Sequence, residues 1–499
     1  MIYIKQEPQQ YQPVYNKITY IVDSDNKSEC DFQYVADLYV NGSLVIRLTT
    51  QKDSVYGYGV FEIDQTLSKY VSYDLWPNLE GFTGNPNSIC DYYLEFREEY
   101  DTSTYCNGGT TVSAIMETSG IKYAWNGALQ EREFLEYDEN TFITDDSSAR
   151  FLTNAPNSLL IGVHDKFNLN YINKESFEVT AAEVKTYDIN GNLLNTFRYD
   201  VSGEFTSADE TYKHIVSFGC GPNNLNTLAP NSGSLPVIDN DTHTYTIQLK
   251  ESTNYVSEIK TFEIDRKCSV FVNKRFWFLN RLGGFDSYSY KLKSRRNIQI
   301  DRLEYYKNSY AITLSSPDYF YTRLLSERGK TLLSVRASEN FNYNSDWMSE
   351  NESIWMEELF TSPEVYLGDN FPATEIAVTD VTCDIGSGDN IKLKSVTTLI
   401  TGEYYTYDFS GLDSLLGIDS TGFFEITGTS GGGFYETDLP CTTGGVGFSG
   451  IIYLERYTME LMPVIVTDNN YEEKIKSNIK NINYTINVKP SYNINIQSN

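Results

Sequence analysis

Apolar positions along this chain recur mostly at every second residue. Tyr34, Ala36, Leu38 and Val40 alternate with polar neighbours, Asn41-Gly42 follows, and Leu44, Ile46 and Leu48 alternate again. Asn-Gly between two alternating runs predicts a hairpin, because both central turn positions need positive φ. Residues 57–63 and 92–96 continue the series, and several short strands separated by turns predict a sandwich over residues 16–150. Residues 151–255 keep the same style and predict a second β domain. Within it, runs at 184–187 and 193–197 flank Asn190-Gly191 as a second hairpin. Residues 1–15, polar and rich in Gln and Pro, predict an N-terminal arm of the kind that stays disordered until a partner orders it.

The period changes once. Ser349 and Glu352 have capping-box spacing, and Ile354, Trp355, Leu359 and Phe360 fall on one helical face. Pro363 disfavours a helical Ser362, which predicts a short amphipathic helix over 350–360 ending near Thr361. With its tryptophans, Trp347 just before it and Trp355 within it, this helix either covers a sheet or docks a neighbouring subunit. Upstream, Phe276-Trp277-Phe278-Leu279 predicts a buried strand and Asn280 to Gly284 a turn. Residues 374–459 hold 14 of the 33 glycines, with short β runs between them. The expected architecture is mainly β, multidomain and sandwich-like. A core domain of 256–373 plus 460–499 is split by a small inserted Gly-rich β domain at 374–459, an insertion that costs little where loop ends are close.

At 499 residues the chain is long enough to bury a large core, and 14% aromatic content excludes a disordered class. The formal charge of −29 excludes a general nucleic-acid binder, since phosphates would be repelled. Charge is unevenly placed: residues 266–307 carry 11 Lys/Arg against Asp286, Asp301 and Glu304, a local +8. Lys274, Arg275, Arg281, Arg295 and Arg296 in this stretch, with Trp347 and Trp355, are therefore candidate subunit-interface residues, because opposite charges across a contact fix its register. Seven cysteines without CxxC spacing predict buried free thiols and a reducing compartment of synthesis. The first residues lack the apolar stretch of a signal peptide, and no run of 18 apolar residues predicts a membrane span.

Chemistry-bearing patterns are sparse. His164, His214 and His243 lack metal-site spacing, and Asp23/Asp25 and Asp239/Asp241 lack the glycine and distal Glu of a calcium loop. Gly428-Thr429-Ser430-Gly431-Gly432 matches G-x-S-x-G literally, but no histidine follows it to act as base. Among 68 Asp and Glu, nothing selects a glycosidase pair. No catalytic, cofactor-binding or metal residues are assigned.

Three groups of residues carry a resemblance. The first is Phe278-Leu279-Asn280-Arg281-Leu282-Gly283-Gly284-Phe285-Asp286. The second is Asp346-Trp347-Met348, with Trp355-Met356-Glu357-Glu358-Leu359-Phe360-Thr361-Ser362-Pro363-Glu364-Val365-Tyr366. The third is Pro463-Val464-Ile465-Val466-Thr467-Asp468, with Lys474 and Asn483-Tyr484-Thr485-Ile486. Together they resemble a family of virion structural proteins of tailed phages of Bacteroidota, the crAss-like phages among them. Phe32 to Gly42 and Gly57 to Phe61 look like that family's opening domain. The resemblance covers about two thirds of the chain in patches and is interrupted by 374–459. It implies a non-enzymatic tail or tail-hub component in multiple copies, made in the bacterial host cytoplasm and localised to the virion tail. Expected partners are other copies of itself and portal, ring and fibre proteins, with DNA only passing through during genome ejection. The rival readings are a receptor-binding or head/tail fibre protein and a tail-associated glycan depolymerase.

Overall fold

The structure is a computed structural model. It describes residues 1–491 except 77–78, 104, 174–178, 202–213, 267–272, 307–310, 316–317, 323–329, 370–374, 384–389, 396–398, 400–403, 409–420, 431–433, 441–444, 457–459, 469–473 and 477–480. The fold is mainly β, in several sheets joined by a few short helices. The chain divides into two compact units: Met1–Leu367 with Pro463–Asn499, and Gly368–Met462.

The larger unit opens with a sandwich. One sheet pairs Ile2–Gln6, Thr19–Ser24 and Gly59–Glu62; the other runs Tyr11–Pro13, Lys122–Trp125, Ile89–Asp101, Cys30–Val40, Ser43–Gln51. Alternation supplies the core: Ile2, Tyr20, Val22 and Phe61 from the first sheet meet Tyr34, Leu38, Leu94 and Phe96 from the second. Asn41 and Gly42 take φ of 48° and 72° and join strands paired through Val40 and Ser43, as their sequence predicts. The expected arm is instead part of the fold. Ile2, Tyr11 and Val14 are buried, and Tyr11–Pro13 pairs in parallel with Lys122–Trp125. Its polar residues masked an apolar alternation too short to read.

The next sheets cross the boundaries expected at residues 150 and 255. Phe82–Gly84 pairs with Ile215–Gly219, and Ser158–Gly162 lies parallel to Lys260–Asp265. The second Asn-Gly hairpin forms between Ala181–Tyr187 and Leu193–Asp200. Its loop is longer than a two-residue turn, because the Asp188 carboxylate accepts from the amides of Asn190 and Asn192, both at 2.8 Å.

A seven-stranded sheet completes this unit in the order Phe285–Tyr290, Lys274–Leu279, Val365–Asp369, Glu460–Val466, Thr485–Pro490, Lys330–Asn344, Arg295–Tyr306. Val365–Asp369 leads out of the unit beside Glu460–Val466, which leads back. In the second unit the described residues include six strands whose pairing closes on itself, from Glu375–Cys383 through Asn390–Ser395, Phe434–Pro440, Thr421–Ser430 and Tyr404–Asp408 to Gly445–Arg456. Because the chain leaves and returns on neighbouring strands, replacing 368–462 by a short Gly/Ser linker should leave a folded remainder. Loss of its cooperative unfolding transition would show that the larger unit needs the second.

Thiols depart from expectation in one place. Cys90 and Cys220 are buried and free, and burial pushes the Cys90 thiol up to about 12. Cys30 and Cys106, however, form a disulfide across 76 residues of sequence. Spacing did not reveal it because the pairing of Cys30–Val40 with Ile89–Asp101 brings the two together.

Candidate assembly surface

The helix Glu350–Thr361 starts at Ser349, whose Oγ accepts from the Glu352 amide at 3.3 Å, while the Glu352 carboxylate accepts from the Ser349 amide at 2.8 Å. It ends before Pro363 as expected. Its buried face is Ser353, Trp355, Met356, Glu358 and Leu359; Ile354, expected on that face, is 54% exposed. Apolar character mis-assigned it because the helix turns a carboxylate, Glu358, inward instead.

That inward carboxylate organises a buried polar cluster. Glu358 accepts from Arg281 at its amide and Nε, both 3.1 Å, and from Asn154 Nδ2 at 2.7 Å. Trp355 is 2% exposed, lies 5.7 Å from the Phe278 ring, and its indole Nε1 donates to Asp286 Oδ2 at 2.8 Å. Thr153 Oγ1 donates to the same oxygen at 2.8 Å. Burial, reinforced by the nearby Glu358 charge, pushes the Asp286 carboxyl up to about 7 against these two donors.

The seven candidate interface residues therefore separate. Arg275 is buried: Nη1 meets Asp165 Oδ2 at 2.9 Å and donates to Ser289 at 2.8 Å, and Nη2 donates to Ser287 at 2.6 Å. Arg281 is committed to Glu358, and Trp355 to the core. Lys274 is half-buried on the same strand as Arg275, and burial lowers its ammonium pKa. Arg275 and Trp355 thus belong to the interior of the unit, Lys274 and Arg281 are half-buried, and the local excess of positive charge is partly consumed by internal carboxylates. Trp347 is 43% exposed beside a cleft of about 80 Å³ lined by Asp165, Tyr288, Lys291, Asp346 and Glu352. That volume suits a few waters, well below the roughly 300–1,000 Å³ of small-molecule sites.

Arg295 and Arg296, like Trp347, are exposed, and they lie on the strand Arg295–Tyr306. Arg296 pairs with Glu339 of the neighbouring strand. Every residue of this strand is exposed, and among the described residues Lys330–Asn344 is its only neighbour in the sheet order. One face of the ribbon sets Arg296 opposite Phe341, Ile298 opposite Glu339, Ile300 opposite Ala337 and Arg302 opposite Val335. Ile298 and Ile300 are 41% and 45% exposed. Sequence reading saw the charges here and missed the alternating Ile298 and Ile300 between them.

Among the described residues no group of His, Cys, Asp and Glu is arranged to hold a metal ion, and no helix is long and apolar enough to cross a membrane. His214 is buried, with Nδ1 2.8 Å from the Tyr11 hydroxyl. Asp239 caps its own turn by accepting from the amides of Asp241 and Thr242. Ser430 of the G-x-S-x-G match ends a β-strand, and its side chain and the glycines after it lie outside the described residues.

No protein-family model matches the chain, and no curated protein matches it. Among solved structures, one described as "Putative membrane anchored protein from Corynebacterium diphtheriae" aligns over 98% of this chain and 83% of its own, at 8% identity and a TM-score of 0.14. A likeness so slight carries no argument about fold or function.

Proposed function

We propose that this chain is a structural protein of a phage virion, a tail or tail-hub component assembled in multiple copies with portal, ring and fibre proteins. The observation that carries the reading is the ribbon. An edge strand of 12 residues, exposed throughout and bearing isoleucines, is a liability for a solitary protein and an asset for one that assembles. The motifs behind the sequence resemblance also converge. Phe285–Tyr290, Lys274–Leu279, Val365–Asp369, Glu460–Val466 and Thr485–Pro490 are successive strands of the sheet that ends in this ribbon. The Cys30–Cys106 disulfide suits a protein that leaves the cell in a particle, since virion surfaces are among the places where disulfides persist.

Immunogold labelling of purified particles with antibody to this chain tests the reading; gold at the tail is expected, and unlabelled particles overturn it. Reversing Arg295 and Arg296 together to Glu should reduce incorporation into particles while leaving the unfolding transition in place, because both residues are exposed. Normal incorporation of that variant would remove the two arginines from the interface.

A further inference from the structure

Building on the reading of a multicopy protein, we infer that the strand Arg295–Tyr306 pairs antiparallel with the same strand of a second copy, about a two-fold axis at Ile300. Among the described residues, the outer edge of this strand has no partner strand in the sheet order. Its N–H and C=O groups are therefore available to a further strand, the mode by which sheets extend between chains. A two-fold contact is self-complementary, so the strand must match itself when reversed.

Backbone geometry restricts the registers. Along a strand, alternate residues present their N–H and C=O groups to opposite edges, and the two residues opposed in an antiparallel pair either both present theirs to each other or both turn them away. Reversal must therefore set a residue opposite its own copy, and the axis passes at a residue, never between two. Four such registers pair at least nine residues, centred on Gln299, Ile300, Asp301 or Arg302. Centring on Asp301 opposes two aspartates, and centring on Arg302 opposes two arginines. Centring on Gln299 sets Arg296 against Arg302 twice. Like charges directly opposed are destabilising.

Centring on Ile300 is free of these conflicts. It opposes Ile300 with Ile300, Arg296 with Glu304 twice, and Gln299 with Asp301 twice, over 11 residues. The bulge in the ribbon does not disturb it. At the shift between Leu303 and Glu304 the partners are Ser334 and Leu332, so the extra residue, Leu333, is on the inner strand. The even-numbered face then becomes continuous across four strands, bringing Ile298 and Ile300 of both copies together between the two Phe341–Val335 flanks.

Charge swapping and cross-linking test this on the purified full-length chain. Sedimentation should show a concentration-dependent dimer. Arg296→Glu and Glu304→Arg should each weaken dimerisation about tenfold or more, and the double swap should return it to within about threefold of wild type. The double swap still lacks the internal Arg296–Glu339 and Lys330–Glu304 pairs, so its recovery reports the contact between copies. Mild oxidation of Ile300→Cys should give a disulfide-linked dimer on non-reducing gels, while wild type, Ile298→Cys and Leu303→Cys should not. A wild-type monomer throughout, no recovery in the double swap, or cross-linking at 298 or 303 instead of 300 overturns the inference. None of these outcomes depends on whether antibody finds the chain in tails.

Discussion

Trp355→Ala should cost the larger unit on the order of 3–5 kcal/mol, the largest effect expected of any single truncation in the helix. Three losses combine there. The indole is 2% exposed, so its removal leaves a cavity against Phe278 and Tyr288, whose rings sit 5.7 and 6.1 Å away. Its Nε1 also vacates Asp286 Oδ2, leaving a fully buried carboxyl that keeps the Thr153 hydroxyl and the Asn280 side chain beside it. The helix then has less to hold it to the sheet, since Met356 and Leu359 are its other buried apolar side chains. Trp355→Phe separates these terms by keeping much of the ring volume and removing the donor. Denaturant unfolding followed by far-UV circular dichroism reads both variants. A cost below about 1 kcal/mol for the alanine variant would place the indole outside the core, contrary to its burial.

What could be read in advance followed from local rules. Asn41-Gly42 announced its hairpin because positive φ at successive residues leaves few alternatives, and Ser349, Glu352 and Pro363 announced both ends of the helix because caps and breakers act within one turn. Features that depend on contacts distant in sequence were not legible. Arg275 reads as one more surface cation until Asp165, 110 residues earlier by number, is found beside it. Glu358 reads as a solvated helix carboxylate until Arg281 and Asn154 converge on it. Likewise Cys30 and Cys106 are unremarkable until two strands align. The proposed assembly surface was half legible: Arg295 and Arg296 stood out as charge, but the significance of Ile298 and Ile300 required knowing that, among the described residues, no strand lies beyond them in the sheet.

Asp286 makes the stability of the larger unit depend on pH in the direction opposite to most carboxylates. Its carboxyl is pushed up to about 7 by burial and by the Glu358 charge, from an ordinary value near 3.8. Between those two pH values the folded chain holds a proton that the unfolded chain has released, so stability falls as pH rises. The contribution is fully present below about 4, is lost progressively towards 7, and is flat above. A shift of this size corresponds to roughly 4 kcal/mol across the window, as an upper figure for a group this buried. Asp286→Asn removes the titration while keeping an oxygen acceptor for Trp355 Nε1 and Thr153 Oγ1. The amide nitrogen would replace Asp286 Oδ1, a buried oxygen without a hydrogen-bond partner in the structure. The asparagine variant should therefore gain on wild type with rising pH, by a few kcal/mol between pH 4.5 and 8, with other titrating groups cancelling in the comparison. Paired thermal or denaturant melts of the two proteins over that range measure the difference directly. A stability gap that does not change with pH would mean that Asp286 is ionised throughout, held so by Trp355, Thr153 and Asn280 in spite of burial.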